Sequence, residues 1–182
     1  TIKDLAVGDI NQITNCTNIT QPGTYNLINN IENSKEEVCI GIFANNVILN
    51  CNDHIIGGVN TIPSHGIKIV GNTPHSSNIT IVNCTLTDWS SGLWVSKSNN
   101  NSLKNINSSS NVQAGIVFNH SNYNSIINSN MDHNIYGLFF ENSFHNKMSN
   151  LGADHNTNIG FLLTNSSYNM ITSSHANYNL QG

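Results

Sequence analysis

The chain has 182 residues and a formal net charge of -4, and only 9% of its residues are charged, against about 25% in ordinary globular proteins. Asparagine (36 residues) and serine (21 residues) fill the difference. There is no arginine and the six lysines are scattered, so nothing can neutralise a row of phosphates, which excludes a nucleic-acid partner; no apolar run reaches the roughly 18 residues needed for insertion into a membrane.

A chain of this length implies one domain. Disorder goes with high net charge and few β-branched or aromatic residues. Here the charge is small and short apolar runs recur, so the chain is folded behind a surface of neutral amides and hydroxyls. The four cysteines, Cys16, Cys39, Cys51 and Cys84, show no CxxC spacing, which argues against a zinc ribbon or a redox pair. An even number in so uncharged a chain points to disulfides, an oxidising compartment and a secreted or cell-surface protein, with buried free thiols as the alternative.

From residue 41 a repeat sets in. Glycines at 41, 66, 92, 115, 137, 160 and 182 follow one another at intervals of 25, 26, 23, 22, 23 and 22 residues. An apolar-x-apolar step follows each, as in Ile67 and Ile69, Leu93 and Val95, Ile116 and Phe118, Leu138 and Phe140, Phe161 and Leu163. Alternation over such short spans is a strand signal. A Ser-x-x-Asn marker recurs at Ser98–Asn101, Ser121–Asn124, Ser143–Asn146 and Ser166–Asn169, and a further row falls at Asn111, Asn134, Asn156 and Asn179.

A period of this size means a solenoid. The units hold too few apolar residues to cover a helix, and the chain has no Asn-Gly or Asp-Gly for hairpin turns. A parallel β-helix remains, of about six coils stacked at the strand spacing, a rod of roughly 29 Å. In such a stack asparagine side chains bond up and down a column. Asparagine and glycine also tolerate the left-handed backbone of tight corners, so both are expected there.

The stretches "CTNITQPGTYNL", "CIGIFANNVILNCNDHIIGG" and "NITIVNCTLTDWSSGLWV" resemble the right-handed parallel β-helix repeat proteins, the group that includes NosD-like, carbohydrate-binding and sugar-hydrolase-like β-helix domains. The resemblance covers essentially the whole chain. It is specific for fold and weak for function, because the same repeat serves lyases, epimerases, adhesins and scaffolds. Together with the stacking logic it places an N-terminal cap at residues 1–38 and coils over 39–182. The repeat register sets Cys51 and Cys84 at matching places on consecutive coils, which favours Cys51–Cys84 and leaves Cys16–Cys39. Gly182 would open another coil with no cap after it. That end is expected to be covered by a continuation of the chain or by self-association with another subunit.

No catalytic set is evident. The resemblance would imply an arginine or lysine base with a calcium site, or converging aspartates; the chain has no arginine and its ten acids are dispersed. Hydrolysis of a glycoside needs a carboxylate pair, one to protonate and one to activate water. The one repeated candidate is "DHN". Asp132 and His133 should stack under Asp154 and His155, a set that could ligate a transition metal or act as an acid/base pair. The plainer reading is exposed turn residues, because the flanking coils carry Ser109–Ser110 and Asn177–Tyr178 there. His54, His65, His75, His120, His145 and His175 follow no common row. Neither a metal nor a cofactor is expected.

Two residues after each glycine the side chain should point outward, at Trp94, Val117, Phe139 and Leu162. An outward apolar stripe marks a contact site: packing against another subunit, cover by the chain itself, or stacking on sugar rings. A partial column of Tyr123, His145 and Tyr168 lies near a corner and fits ordinary stacking. N-x-[ST] sequons at Asn15, Asn18, Asn78, Asn83, Asn100, Asn107, Asn119 and Asn165 are candidate glycosylation sites, though a chain so rich in both residue types produces that number by chance. The expectation is a non-catalytic extracellular rod with a structural, adhesive or assembly role. The alternatives are a carbohydrate-binding or polysaccharide-active domain, and a NosD-like periplasmic metal-handling protein.

Overall fold

The computed structural model describes residues 11–71 and 77–181, and Gly182 and His75 lie outside them. The described residues contain sixteen strands and no helix. In chain order these are β1 (Asn11–Ile13), β2 (Thr17–Ile19), β3 (Gly23–Leu27), β4 (Val38–Ile42), β5 (Val47–Asn50), β6 (Ile55–Gly57), β7 (His65–Val70) and β8 (Thr80–Thr87). The second half continues with β9 (Ser91–Ser96), β10 (Ser102–Ser108), β11 (Ala114–Asn119), β12 (Ser125–Asn130), β13 (Tyr136–Glu141), β14 (Lys147–Gly152), β15 (Ile159–Thr164) and β16 (Met170–Thr172).

They form two long sheets. One runs β1-β3-β5-β8-β10-β12-β14-β16 with β6 also paired to β8; the other runs β2-β4-β7-β9-β11-β13-β15. Each pair within the coils is parallel, as between β9, β11 and β13. Seven strands in the second sheet make about seven coils, one more than the glycine spacing implies. The extra coil comes from residues 11–27, whose strands already lie in the same two sheets. That coil has no glycine of the repeat to announce it.

Like stacks on like. Ile67, Leu93, Ile116, Leu138 and Phe161 are successive partners in one sheet, and Ile81, Leu103, Ile126, Met148 and Ile171 in the other. These columns fill the interior up to the last coil, where Phe161 is half-buried and Ile171 exposed; within it Phe118 and Phe140 stack with ring centroids 4.9 Å apart.

The glycine row answers to space rather than to backbone hand. A Cβ on Gly115 would lie 2.7 Å from the Gly137 carbonyl oxygen and 2.8 Å from Met131 Cβ. One on Gly137 would meet the Gly160 carbonyl oxygen at 2.6 Å. The left-handed corners belong to other residues. In the coil after Gly115 they are His120, Tyr123, Asn128 and His133, with φ of 51°, 58°, 52° and 58°; one coil on they are Asn142, His145, Asn150 and His155. The marker asparagines each sit one residue beyond such a corner, with side chains turned inside. Asn124 Oδ1 accepts from the backbone N–H of Asn101 at 2.9 Å, and Asn146 Oδ1 from that of Asn124 at 2.8 Å. Ser121 and Ser143 repeat the motif through their hydroxyls. Asparagine thus holds the corner from within, satisfying buried N–H groups that would otherwise be costly.

Candidate functional site

The outward row is in register: Lys68, Trp94, Val117, Phe139 and Leu162 are successive partners across β7, β9, β11, β13 and β15. It is not a flat exposed stripe. Trp94, Phe139 and Leu162 are half-buried, and Val117 is only 2% exposed although it lies outside the core cluster. The bulky neighbours stand up on either side of Val117 and leave a groove.

The groove has a volume of about 350 Å³. Its lining is Ser91, Trp94, Gln113, Ala114, Val117, Ile135, Tyr136 and Phe139. Ala114 and Val117 are buried and form the floor. Trp94 stands one strand away on one side; Tyr136 and Phe139, with ring centroids 5.9 Å apart, stand one strand away on the other. The two walls are therefore two strand spacings apart, about 9.6 Å at the backbone. The rim is polar. Tyr136 Oη accepts from Asn158 Nδ2 at 3.3 Å, and Gln113 Oε1 accepts from Ser90 Oγ at 2.8 Å, so both side chains are oriented by neighbours. Among the described residues, no carboxylate, amine or thiol belongs to the lining. What this arrangement offers chemically is aromatic stacking with a few directional hydrogen bonds, the usual make-up of a small-ligand site.

Ser91, Ala114 and Tyr136 form a second column beside the first, and His65 precedes them in it. Counting alternation outward from each glycine misses this column, because the glycine breaks the alternation. The His65 ring lies 5.1 Å from that of Trp94, and its buried Nδ1 has no hydrogen-bond partner among the described residues. Burial, and then the nearby Lys68 ammonium, lower its pKa from 6.5 to about 4.

The other candidate residues lie elsewhere. Asp132 Oδ1 accepts from the backbone N–H of Asp154 at 2.8 Å, and Asp154 Oδ1 from that of Asn177 at 2.6 Å. Asp154 Oδ2 is also 3.3 Å from His175 Nε2. His133 and His155 stack face to face at 5.3 Å, and Tyr178 stacks on His155 at 4.8 Å. Among the described residues no three His, Cys, Asp or Glu side chains converge to hold a metal. Tyr123, His145 and Tyr168 form a matching stack at 5.1 and 5.0 Å.

The cysteines form two disulfides, Cys16–Cys39 and Cys51–Cys84, which point to an oxidising environment. Of the sequon asparagines, Asn15, Asn18, Asn78, Asn100, Asn107 and Asn165 are exposed, and Asn83 and Asn119 are half-buried. Asn78, Asn83, Asn119 and Asn165 each donate Nδ2 to a side chain on a neighbouring coil.

Residues 72–182 match the family described as "Right handed beta helix region". No curated protein matches the chain. Among solved structures, the fold is similar to the Dettilon tailspike protein (gp208), with a TM-score of 0.73 and 11% identity over 93% of this chain and 38% of that one. It is similar to a putative glycosyl hydrolase from Parabacteroides merdae, with a TM-score of 0.56 and 8% identity over 85% of this chain and 83% of that one. It is also similar to the A-module of the mannuronan C-5 epimerase AlgE6 of Azotobacter vinelandii, at 0.52 and 12% over 84% of this chain and 51% of that one. At these identities the likeness is one of fold, and this chain spans well under half of the tailspike. The family match covers more than half of the chain, and this protein belongs to the right-handed β-helix family.

Proposed function

We propose that this protein is a carbohydrate-binding β-helix domain that seats a glycan in the groove over Val117. The observation that carries the reading is the sunken apolar floor between the Trp94 wall and the Tyr136–Phe139 wall. A flat protein surface does not enter so narrow a groove; a single pyranose ring can rest on its aromatic walls above Val117, which is itself 2% exposed. The C–H face of such a ring packs on aromatic faces, while Ser91, Gln113 and Tyr136 offer hydrogen-bonding groups to its hydroxyls. The names of two structural neighbours, a glycosyl hydrolase and a mannuronan epimerase, support the same class of ligand. Because the lining has no carboxylate, the proposed act is binding. The two disulfides suit an extracellular site of action.

Tryptophan emission reports on the groove, since the chain's other tryptophan, Trp89, is fully buried with its Nε1–H donated to the Ile56 carbonyl at 2.9 Å. Titration with a panel of oligosaccharides is expected to shift the emission for at least one of them. Measured by calorimetry, since the first substitution removes the fluorophore, Trp94→Ala and Phe139→Ala should each weaken that binding about tenfold or more, as losing an aromatic anchor does. Tyr168→Ala, an exposed corner residue, should leave it unchanged. A panel that never moves the emission, or a Trp94→Ala protein that binds as well as the parent, sinks the proposal.

A further inference from the structure

The two columns that build the groove continue past it by one coil, and there their character changes. Below Ser91 and Trp94 come His65 and Lys68. Lys68 points outward between the fully buried Ile67 and Ile69, is half-buried, and forms no ion pair among the described residues. Its row is closed on the far side. A Cβ on Gly41, its partner in β4, would lie 2.4 Å from Asn18 Oδ1 and 2.7 Å from the Phe43 ring, so those two side chains occupy that space. The Lys68 position is thus flanked in its row by Phe43 and Asn18 on one side and by Trp94 on the other. His65, held neutral at physiological pH by burial and by Lys68 itself, adds no competing charge.

We propose that Lys68 forms an anion subsite on the far side of the Trp94 wall, and that the glycan bound is acidic: a pyranose reaching over Trp94 from the one seated above Val117 carries a carboxylate or sulfate that pairs with the Lys68 ammonium. This rests on the groove being a glycan site. The dimensions agree, because Lys68 stands one strand from Trp94 and two from Val117, about 4.8 and 9.6 Å, comparable with the repeat of a polysaccharide chain lying along the rod. A half-buried, unpaired ammonium binds a carboxylate more strongly than a surface pair does, since less water competes for it.

The test uses the full chain with oligogalacturonate, its carboxyl-reduced counterpart and a sulfated galactan, read by calorimetry at low and high salt. Oligogalacturonate should bind roughly tenfold or more tighter than the reduced oligomer. Salt should erode that advantage and leave the reduced oligomer's affinity unchanged. Lys68→Gln should bind the acidic and reduced oligomers equally, while Lys68→Arg keeps the preference. A preference for the sulfated galactan alone supports the subsite and assigns the anion as sulfate. If the reduced oligomer binds the parent protein as tightly as both acidic ones, the subsite is refuted and the groove stands. If none of the three binds and no other glycan moves Trp94, both fall together.

Discussion

His65 shows how one residue's setting becomes a property of the protein. Its ring is buried against Trp94, and desolvation first, then Lys68, depress its pKa from 6.5 to about 4. Between those two values the unfolded chain binds a proton that the folded chain refuses, so stability falls as pH drops from 6.5 toward 4 and is untouched above that window. The expected loss is up to about 3 kcal/mol, seen as a lower denaturant midpoint at pH 4.5 than at pH 7. His65→Phe keeps a ring beside Trp94 and removes the titration, so the gap between the two pH values should shrink by that amount. An unchanged gap would show that other groups set the acid sensitivity. The residue also marks a limit of sequence reading. Trp94, Val117, Phe139 and Leu162 are legible because they keep a fixed distance from the glycines. His65, Ser91, Ala114 and Tyr136 lie on the other side of each glycine, where two consecutive side chains point inward and simple alternation fails. Gln113 and Ile135 come from turns, whose direction no periodicity records.

At the scale of the element, the Ser-x-x-Asn marker shows which polar residues matter. Its spacing is plain in the sequence, but its inward direction is not, because asparagine is equally at home at an exposed corner. Asn128 and Asn150 are exposed corners of that second kind, joined by one Nδ2–Oδ1 bond of 2.9 Å. Asn124 is 2% exposed; its Oδ1 accepts from both the backbone N–H and Nδ2 of Asn101, and its own Nδ2 donates to Asn146. Asn124→Leu keeps the branched side-chain outline, though with bulkier methyl groups, and strands two buried donors of Asn101, which should cost roughly 3 kcal/mol or more in chemical denaturation. Asn150→Gly retains the left-handed corner and loses one exposed bond, so it should stay within about 0.5 kcal/mol of the parent. Equal effects at the two positions would mean that the interior ladder adds nothing beyond what surface asparagines supply.

Over the whole molecule, the two halves of the rod are held by different means. Both disulfides lie in the first half, closing separations of 23 and 33 residues. The buried asparagine ladders run through the second, from Asn101 to Asn169 and from Asn111 to Asn179. A solenoid is stabilised by each coil and its contacts with the next, so the two halves can lose stability separately. Restricting the unfolded chain with loops of these lengths stabilises by about 3 to 4 kcal/mol per bridge in the entropic picture. Reduction removes that from the coils between residues 11 and 84 and leaves the ladders intact. Hydrogen exchange should then show protection falling in β2 to β5 first, while β11 to β14 keep theirs, since each of those strands is paired on both sides and packed on Ile116, Phe118, Leu138 and Phe140. The groove over Val117 sits in the part that stays folded, so glycan binding there should survive reduction even as the first coils open, whereas the preference for acidic chains, which depends on Lys68 in β7, should weaken. Uniform loss of protection from β2 to β15 would show instead that the coils unfold as one cooperative block, and the separate behaviour of groove and anion subsite would disappear with it.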